Sequence, residues 1–421
     1  MLNQTLFKSV PLMMGLSLSL MACGPEQESN TVSILGVVIG EQQEKLEKAL
    51  APFEEETGID VVYEGTDSFA TLLPVRVDSG KPPDIAMFPQ PGLMADFAKE
   101  GLLIPIDTFM EPAELSNAYS QDWLDLSTIN NQIYGVWYRA SVKSLVWYSP
   151  KAFDDAGYKI PTTWDEMLAL TDQIVADGGV PWCLGMESGA ATGWVGTDWV
   201  EDIMLRTAGP QAYDQWLTNE LPFDDPLVKN AFTQFGDIVL NPDYVVGGYT
   251  GAISTPFGDS PKPLFTDPPG CYMHRQANFI ASFFPKEIVV GEDVSIFPLP
   301  GIKPEFGVPV LVAGDVFAMF NDTPEAQALM KYLASAKPHE VWASLGGYIS
   351  PHQQVGMEAY TDAITQKQAE ILSNADIVRF DGSDMMPGAV GTGTFWTGIT
   401  DYVGGNDLDA VLDDIQASWP K

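Results

Sequence analysis

Acidic side chains stand next to aromatic or glycine residues at points of the chain where a binding surface can form. Asp198 is followed directly by Trp199, and Asp315 follows Gly314 within an apolar run. A carboxylate accepts hydrogen bonds from hydroxyl groups and an aromatic ring offers an apolar face, so these pairs suit a ligand that carries both hydroxyls and C–H surfaces. Two structural alternatives remain. Asp198 can be the N-cap of a helix that begins at Trp199, and Asp315 can bond to backbone groups.

A second group of polar residues consists of His274, Arg275 and Gln276. Arg275 can donate to ligand hydroxyls or brace a carboxylate of the same site. The chain has three histidines and no paired spacing of metal-ligating side chains, so we expect no metal and no cofactor. Asp384, in a loop ahead of Trp396, is a further candidate acceptor, with a solvated loop acid as the alternative.

The charge of the chain limits its partners. It carries 57 acidic and 21 basic residues, for a formal net charge of −36 at pH 7. Nucleic acids and anionic membrane surfaces attract positive patches, so this balance argues against both as partners. A neutral or cationic small molecule is compatible with it. The chain also has 11 Trp and 14 Tyr, more than a core requires, and many of them lie at predicted strand ends and turns.

The first 22 residues have the layout of a secretory signal peptide. Lys8 precedes an apolar run, Val10 to Leu20, that is too short to span a bilayer as a stable helix. The segment from Leu20 to Cys23 resembles a bacterial lipobox, in which the cysteine carries the lipid; the alternative is a plain signal peptide with an incidental cysteine. We therefore predict a lipid anchor on Cys23, a linker over residues 23–30, and a location at the periplasmic or extracytoplasmic face of the cell envelope.

Cys183 and Cys271 remain once Cys23 is assigned to the anchor. An even pair of cysteines in an oxidising envelope compartment favours a disulfide over two buried thiols. The remaining length of roughly 400 residues is enough for two domains, each with its own core. No later stretch has the length of an uncharged membrane span, so we expect the lipid to be the only membrane attachment.

From residue 31 onward, short β-rich runs alternate with amphipathic helical stretches, the pattern of α/β units with parallel sheets. Thr163 followed by Glu166 predicts a capping box, and Thr323 before Pro324 predicts another helix start. The Pro- and Gly-rich stretch 249–270 is the longest candidate for an irregular segment and can fold over the mouth of a cleft. The predicted strands are 31–38, 59–63, 84–88, 134–138, 145–148 and 311–320; the predicted helices include 41–57, 72–78, 93–100, 198–207, 210–218 and 226–238.

Several motifs resemble the extracellular solute-binding proteins of carbohydrate ABC importers, the group that includes maltose-binding protein. In the first lobe of that group a helix ends in a Thr-Gly-Ile turn and a Pro-Asp-Ile strand leads to the cleft; this chain has Thr57-Gly58-Ile59 and Pro83-Asp84-Ile85. Other segments are similar to the α-glucoside branch, whose ligands include trehalose, sucrose, maltose and glucosylglycerol. These segments are 193–202, 270–277, 313–315 and 393–396.

The resemblance covers essentially all of the chain after the signal peptide. It implies a two-lobed α/β periplasmic-binding-protein fold with a hinge and a ligand cleft between the lobes. The order of the motifs places lobe 1 at 31–142 plus 312–360 and lobe 2 at 143–311 plus 361–421. The implied function is capture of a small sugar, an α-glucoside, without chemistry. The implied partners are ABC permease subunits and, through them, an ATPase; the chain itself is expected to act as a monomer.

The resemblance also marks residues that hold the sugar. It implies a stacking aromatic at Trp396, for which a core tryptophan is the alternative, and a polar contact at Gln90 just past the third strand. Arg139, Lys143 and Tyr348 are additional candidates near the points where the chain crosses between lobes, with surface or hinge packing as the alternative. The predicted sugar-binding residues are Gln90, Trp194, Asp198, Trp199, His274, Arg275, Asp315, Tyr348, Asp384 and Trp396.

Two other classes of function are compatible with parts of the sequence. A secreted glycoside hydrolase also places carboxylates around a sugar. The chain lacks a GxSxG elbow, a P-loop, a GxGxxG after a strand and an HExxH helix, so we expect a binder and not an enzyme. Polyamine and iron binders share two-lobed clefts, and an acidic cleft with aromatic residues can hold a cation. Cation binding weakens with ionic strength, whereas sugar binding hardly changes.

Overall fold

The computed structural model describes residues 30–420 of the chain. The predicted signal peptide and the predicted lipidated Cys23 lie outside these residues. Among the helices of residues 30–420, none is long and apolar enough to cross a membrane. The strands are β1 (Thr31–Gly36), β2 (Asp60–Gly65), β3 (Ile85–Phe88), β4 (Thr128–Ile129), β5 (Gln132–Ile133), β6 (Gly135–Val142), β7 (Leu145–Tyr148), β8 (Met273–Arg275), β9 (Ser295–Pro298), β10 (Val310–Met319) and β11 (Val378–Phe380).

The helices alternate with these strands, as the sequence predicts for an α/β protein. They are α1 (Glu41–Thr57), α2 (Phe69–Asp78), α3 (Pro91–Lys99), α4 (Pro112–Ala118), α5 (Gln121–Leu126), α6 (Pro150–Ala156), α7 (Trp164–Ala176), α8 (Trp194–Thr207), α9 (Gly209–Leu217), α10 (Pro226–Val239), α11 (Gly248–Ser254), α12 (Pro324–Leu333), α13 (Ala336–Ser344), α14 (Ala363–Ser373), α15 (Gly382–Met385), α16 (Trp396–Val403) and α17 (Leu408–Ala417).

The larger sheet has β2, β1, β3 and β10 in that order. β11 pairs with the beginning of β10, and β6 pairs with β10 as well. β1 is parallel to both β2 and β3, whereas β10 is antiparallel to β3 and β6. β3, β6 and β10 consist wholly of buried residues, as expected for strands that are covered on both faces.

The chain builds a second hydrophobic core around a smaller antiparallel sheet, ordered β8, β7, β9. Side chains of α7, α8, α10, α16 and α17 fill this core. β10 serves both cores: Leu311 belongs to the second, while Val310 and Val312 belong to the first. Neighbouring side chains of a strand point to opposite faces, so one strand can contribute to two cores. The backbone N–H of Lys143, between β6 and β7, donates to Leu311 O at 2.8 Å. This hydrogen bond joins the β6–β7 connection to β10.

The disulfide predicted from the cysteine count is present between Cys183 and Cys271. Their Cα atoms are 5.6 Å apart, and the bond closes a loop with a sequence separation of 88. Cys271 lies just before β8, so the disulfide fixes the start of this edge strand of the smaller sheet. Both cysteines are buried.

Local hydrogen-bond signals in the sequence are confirmed by the structure. Thr163 Oγ1 accepts a hydrogen bond from Glu166 N at 3.2 Å, and the Glu166 carboxylate accepts one from Thr163 N at 3.2 Å, which completes the predicted capping box of α7. Thr323 caps α12, and Pro324 occupies its first position. These signals are reliable because both partners lie within one helical turn.

Two predictions of helix extent were wrong. α8 begins at Trp194, directly after Gly193, whose φ of 114° is a left-handed conformation that glycine adopts without strain. Asp198 therefore lies inside α8 and is not its N-cap. The stretch 249–270, expected to be irregular, contains α11 and a 3₁₀ helix over Lys262–Phe265.

Candidate functional site

A cavity lies between the two hydrophobic cores, beyond the carboxyl ends of β1 and β3 and beside the connection from β6 to β7. Its volume is about 980 Å³, a figure that includes space open to solvent. Its polar lining consists of Gln42, Asp67, Gln90, Arg139, Ser141, Lys143, Ser188, Asp198, Asp315, Ser383 and Asp384. Its apolar lining includes Val37, Ile39, Phe69, Trp194, Phe257, Phe279, Phe283 and Trp396.

Lys143 is the cation of one wall of this cavity. Its Nζ lies 2.8 Å from Asp198 Oδ1, contacts Asp381 Oδ2 and lies 3.9 Å from Asp384 Oδ2. All four side chains are buried, and buried charges must be paired. The carboxylates come from α8, from the residue after β11 and from α15, so one ammonium joins three separate elements. We call Lys143, Asp198, Glu201, Asp381 and Asp384 the Lys143 cluster.

Glu201 is a member of the Lys143 cluster whose carboxylate is bound by backbone amides. It is fully buried on α8, and its carboxylate accepts hydrogen bonds from Gly382 N at 2.7 Å and Ser383 N at 2.9 Å. Oxygens of Asp198, Glu201 and Asp381 lie within 4.8 Å of one another, a spacing that is also found in cation sites. Lys143 already gives positive charge to this group and backbone amides bind Glu201. The arrangement is therefore an internal ion-pair network.

The Lys143 cluster holds more carboxyl groups than one ammonium keeps ionised. Burial raises the pKa of Asp198 to about 7, with Lys143 opposing the shift. Burial, and then the nearby Asp381 carboxylate, raise the pKa of Glu201 and of Asp384 well above the ordinary range. Burial also disfavours ionised Asp381, but Lys143 and several hydrogen bonds outweigh it and lower its pKa. Asp381 is thus the carboxyl group of the cluster that is most easily ionised, and burial favours the protonated form of Glu201 and Asp384.

A second part of the cavity lining carries one cation and one carboxylate. Arg139 of β6 and Asp315 of β10 are partners in the strand register, and Arg139 Nε contacts Asp315 Oδ2. Arg139 Nη1 donates to Gln42 Oε1 at 2.7 Å. Burial raises the pKa of Asp315, and Arg139 opposes this shift. We call Arg139 and Asp315 the Arg139 pair.

Aromatic rings line the cavity together with these charged groups. Trp194 begins α8, Trp396 begins α16, and Phe279 and Phe283 come from one short 3₁₀ helix. The Nζ of Lys143 lies 5.4 Å from the centroid of the Trp194 ring, within the range of a cation–π interaction. The cavity therefore combines charged groups with flat apolar faces.

The starts of α8 and α16 touch through their backbones. A Cβ on Gly193 would lie 2.1 Å from the backbone oxygen of Trp396, so no other residue fits at this position without displacing α16. The contact places Trp194 and Trp396 on neighbouring elements at one side of the cavity. Gly193 thus serves two purposes, a left-handed backbone conformation and a close approach.

Three buried polar atoms of cavity-lining side chains have no hydrogen-bond partner within residues 30–420: Gln90 Oε1, Asp198 Oδ2 and Trp396 Nε1. Asp198 Oδ2 lies 3.3 Å from Arg275 Nη1 and so has a charged partner. Gln90 is 7% exposed and Trp396 is 3% exposed. A buried polar atom without a partner is costly, so Gln90 Oε1 and Trp396 Nε1 are an acceptor and a donor that hydroxyl groups of a ligand in the cavity can satisfy.

The structure brings most of the predicted site residues to this cavity: Gln90, Trp194, Asp198, Asp315, Asp384 and Trp396 all line it. Trp199 does not. It packs in the second core, with its ring centroid 5.2 Å from that of Trp182. Successive residues of a helix point about 100° apart, so Asp198 and Trp199 cannot both face the cavity from inside α8.

Arg275 lies behind the cavity and not in its lining. Its Nη1 is 3.3 Å from Asp198 Oδ2, its Nη2 donates to Asp198 O at 3.0 Å, and Nη2 also contacts Asp202. Asp202 in turn contacts Arg206 one turn further along α8. Of the two roles considered for Arg275, the structure supports the brace of a cavity carboxylate.

His274 and Tyr348 also lie outside the cavity lining. The ring of His274 points away from the cavity, with Nδ1 2.8 Å from Cys183 O. The Tyr348 hydroxyl contacts the backbone oxygen of Tyr138, and its ring stacks on Trp342 at 4.9 Å. Both side chains are buried, and they pack in the protein core and not in the cavity.

Sequence reasoning missed several residues of the site. Asp381 and Glu201 were not singled out, nor were Gln42 and Phe279. Asp381 follows β11 directly, and an acid at the end of a β-rich run is the one local signal that marks it. Glu201, Gln42 and Phe279 have no local signal, because their partners are remote in the sequence.

Comparison with known proteins places the chain in a family. Residues 39–340 match the family described as bacterial extracellular solute-binding protein. The osmoprotective compounds-binding protein GgtB of Synechocystis sp. (strain ATCC 27184 / PCC 6803 / Kazusa) is 60% identical over 99% of each chain. The alpha-glucosides-binding periplasmic protein AglE of Rhizobium meliloti (strain 1021) is 44% identical over 94% of this chain and 88% of the relative. The chain belongs to the bacterial extracellular solute-binding protein family.

Solved structures agree on the fold. The bacterial solute receptor AcbH superposes with a TM-score of 0.80 at 18% identity, covering 92% of this chain and 97% of that one. The maltose-bound MalE3 of T. maritima superposes with a TM-score of 0.73 at 18% identity, over 92% and 98% of the two chains. The predicted two-lobed α/β fold is thereby confirmed. The predicted class, a solute-binding protein and not an enzyme, is confirmed by the family and its relatives.

Proposed function

We propose that this chain captures a small sugar of the α-glucoside type in the cavity between its lobes. The observation that carries the proposal is the pair of buried, unpaired atoms in the lining, Gln90 Oε1 and Trp396 Nε1. A sugar hydroxyl both donates and accepts, so adjacent hydroxyls satisfy one atom of each kind. The rings of Trp194 and Trp396 offer apolar faces for the C–H side of a sugar ring.

The similarity to named relatives favours α-glucosides among the sugars. GgtB is named for osmoprotective compounds and AglE for alpha-glucosides, and both match nearly the whole chain. The candidate ligands are those that the resemblance to the α-glucoside branch implies: trehalose, sucrose, maltose and glucosylglycerol. The cavity combines a few polar groups with aromatic faces, as sites for small ligands do.

The charge arrangement argues against a polyamine as the ligand. The Lys143 ammonium already contacts Asp198 and Asp381, and the Arg139 guanidinium already contacts Asp315. A cationic ligand would compete with these two buried cations for the carboxylates of the cavity. The cavity carboxylates serve the internal cations and, on this proposal, accept hydrogen bonds from a neutral ligand.

The proposed mechanism is capture and delivery without chemistry. Gln90 follows β3 of the first core and Asp198 lies on α8 of the second, so a ligand that contacts both favours the closed arrangement of the lobes. Permease subunits of an ABC importer then recognise the closed protein, and their ATPase drives transport. We expect the binding protein itself to act as a monomer.

A lipid on Cys23 is the proposed attachment to the cell envelope. The support for it is the lipobox-like segment that ends at this residue. The full-length protein expressed in a bacterium should remain with the membrane fraction and show an acylated amino terminus by mass spectrometry. A Cys23→Ser variant that remains equally membrane-bound would contradict the anchor.

The experiment that tests the ligand is a binding panel on the soluble form that begins after Cys23. Thermal-shift assays and titration calorimetry would use trehalose, sucrose, maltose, glucosylglycerol and glucose, with spermidine as the cationic control. Binding of at least one glucoside that persists when the salt concentration is raised supports the proposal. A flat sugar panel with salt-sensitive binding of spermidine overturns it.

A further inference from the structure

Gln42 and Phe279 lie between the ligand cavity and a second groove and line both spaces. Gln42 belongs to the first turn of α1. Gln42 is 8% exposed, although glutamine is usually found at the surface. Both polar atoms of a buried amide require partners, so the neighbours of this side chain show what holds it in place.

The amide of Gln42 joins two different parts of the cavity wall. Its Oε1 accepts a hydrogen bond from Arg139 Nη1 at 2.7 Å. Its Nε2 donates to Phe279 O at 3.4 Å, in the 3₁₀ helix Asn278–Phe283. The first bond involves a charged group and is short; the second is long and correspondingly weak.

The contacts continue from Gln42 to a carboxylate of the cavity. Arg139 Nε contacts Asp315, which lines the cavity and is buried. The guanidinium carbon of Arg139 also lies 5.9 Å from the centroid of the Phe279 ring. Gln42 therefore fixes the guanidinium from one side, while Asp315 and the Phe279 ring bound it from others.

We propose that Gln42 is a positioning residue of the sugar site: it fixes the orientation of Arg139, and through Arg139 that of Asp315, and it couples them to the Phe279 segment. Arginine only donates and a backbone carbonyl only accepts, so an amide is the group that satisfies both. A glutamate in its place keeps the bond to Arg139 and loses the donor toward Phe279. This inference rests on the proposed function for its binding readout.

The first test compares two substitutions of similar length, Gln42→Met and Gln42→Glu. Gln42→Met removes both hydrogen bonds and is expected to weaken binding of the best glucoside about tenfold, the scale of one hydrogen bond to a charged group. Gln42→Glu keeps the contact with Arg139 and is expected to restore most of the affinity. Circular dichroism and thermal melting of each variant report the fold.

A double-mutant cycle separates positioning from direct contact with the ligand. Arg139→Lys keeps the charge but loses the planar fork that reaches Gln42. If Gln42 acts through Arg139, adding Gln42→Met to Arg139→Lys costs little further affinity. Fully additive losses would mean that Gln42 acts on the ligand independently, and unchanged affinity in Gln42→Met would mean that it does not position the site. Either result overturns the inference.

A second measurement needs no ligand. The side-chain N–H resonances of Arg139 report how firmly its guanidinium is held, and they should broaden or exchange faster in Gln42→Met than in wild type or Gln42→Glu. Identical resonances in all three proteins contradict the positioning role. If the wild type binds none of the sugars, the proposed function fails, while this measurement still decides the role of Gln42.

Discussion

The two charged walls of the cavity hold buried charge in different ways. In the Lys143 cluster one ammonium faces four carboxyl groups, all of them buried. In the Arg139 pair one guanidinium meets one carboxylate across neighbouring strands. The first group therefore has a surplus of acids that must be protonated or share hydrogen bonds, whereas the second has one acid for its one cation, with Lys143 also close enough to act on Asp315.

The difference shows which wall depends on protons. A surplus of buried acids gives raised pKa values, and a raised pKa means that folding takes up protons. The same surplus favours the protonated form of Asp384, which lines the cavity. In the Arg139 pair burial raises the pKa of Asp315 as well, but there one guanidinium faces one carboxyl group and opposes the shift.

Removal of the Lys143 cation tests this comparison with the largest expected effect. Lys143→Met leaves several buried acids without their common partner and should lower the free energy of unfolding by about 5 kcal/mol, the upper end for breaking a buried ion pair. Arg139→Met leaves one acid unpaired and should cost about 2–3 kcal/mol. Urea unfolding of both variants measures the difference.

Lys151→Met is a suitable control for the loss of a lysine. Lys151 is exposed and its partner is the exposed Asp155. We expect no measurable change in urea unfolding for this variant. Equal losses for Lys143→Met and Arg139→Met would show that the surplus of acids around Lys143 has no energetic consequence.

Reduction of the disulfide tests the structural support of Asp198, a member of the Lys143 cluster. Cys271 precedes the strand that carries Arg275, which braces Asp198. Opening a loop of this separation should cost about 4 kcal/mol and lower the melting temperature. A Cys183→Ser, Cys271→Ser double variant should match the reduced wild type. An unchanged melting temperature, or labelling of both thiols in the native protein, would contradict this prediction.

Substitution of Trp396 tests the aromatic lining between the walls. Trp396→Phe keeps a ring but removes the unpaired indole N–H, and should weaken glucoside binding about tenfold. Trp216→Phe is the matched control, because Trp216 is also buried with an unpaired indole N–H but lies in the second core away from the cavity lining. Titration calorimetry should show near-native affinity for the control. Equal affinity in both variants would remove Trp396 from the site.

The smallest expected effect concerns the pH dependence of the free energy of unfolding, which tests the surplus of acids in the Lys143 cluster. Asp198 has a folded-state pKa of about 7, above its unfolded value, so the native state binds a proton between roughly pH 4 and pH 7. Stability from this group is present at low pH and is lost as the pH rises through that window. In Asp198→Asn the free energy of unfolding should fall less steeply as the pH rises, by about 1 kcal/mol per pH unit near pH 5–6. Parallel curves for wild type and variant would contradict the assignment.

Sequence patterns predicted the fold where the information is local. α1 and β7 have the predicted bounds, and the capping box at Thr163 is present, because their determinants lie within a few residues of one another. Gln90, Asp315 and Trp396 lie at the ends or within elements that the resemblance marks, and they line the cavity.

The rest of the site depends on contacts between distant segments. Lys143, Asp198 and Asp381 meet although they belong to three remote parts of the chain, and no local motif records this meeting. Trp199 was predicted as a cavity residue because it neighbours Asp198 in sequence. The start of α8 at Trp194 sets which helix face points to the cavity, and a shift of a few residues in a predicted start is enough to exchange the two.

The contact between Gly193 and the backbone of Trp396 has a kinetic consequence. With no room for a side chain between them, the starts of α8 and α16 pack backbone against backbone, so Trp194 and Trp396 start from adjoining backbone positions that the fold itself sets. A preorganised aromatic surface needs little ordering on contact. We therefore expect the rate of lobe movement, and not the arrangement of these rings, to set how fast the ligand is held.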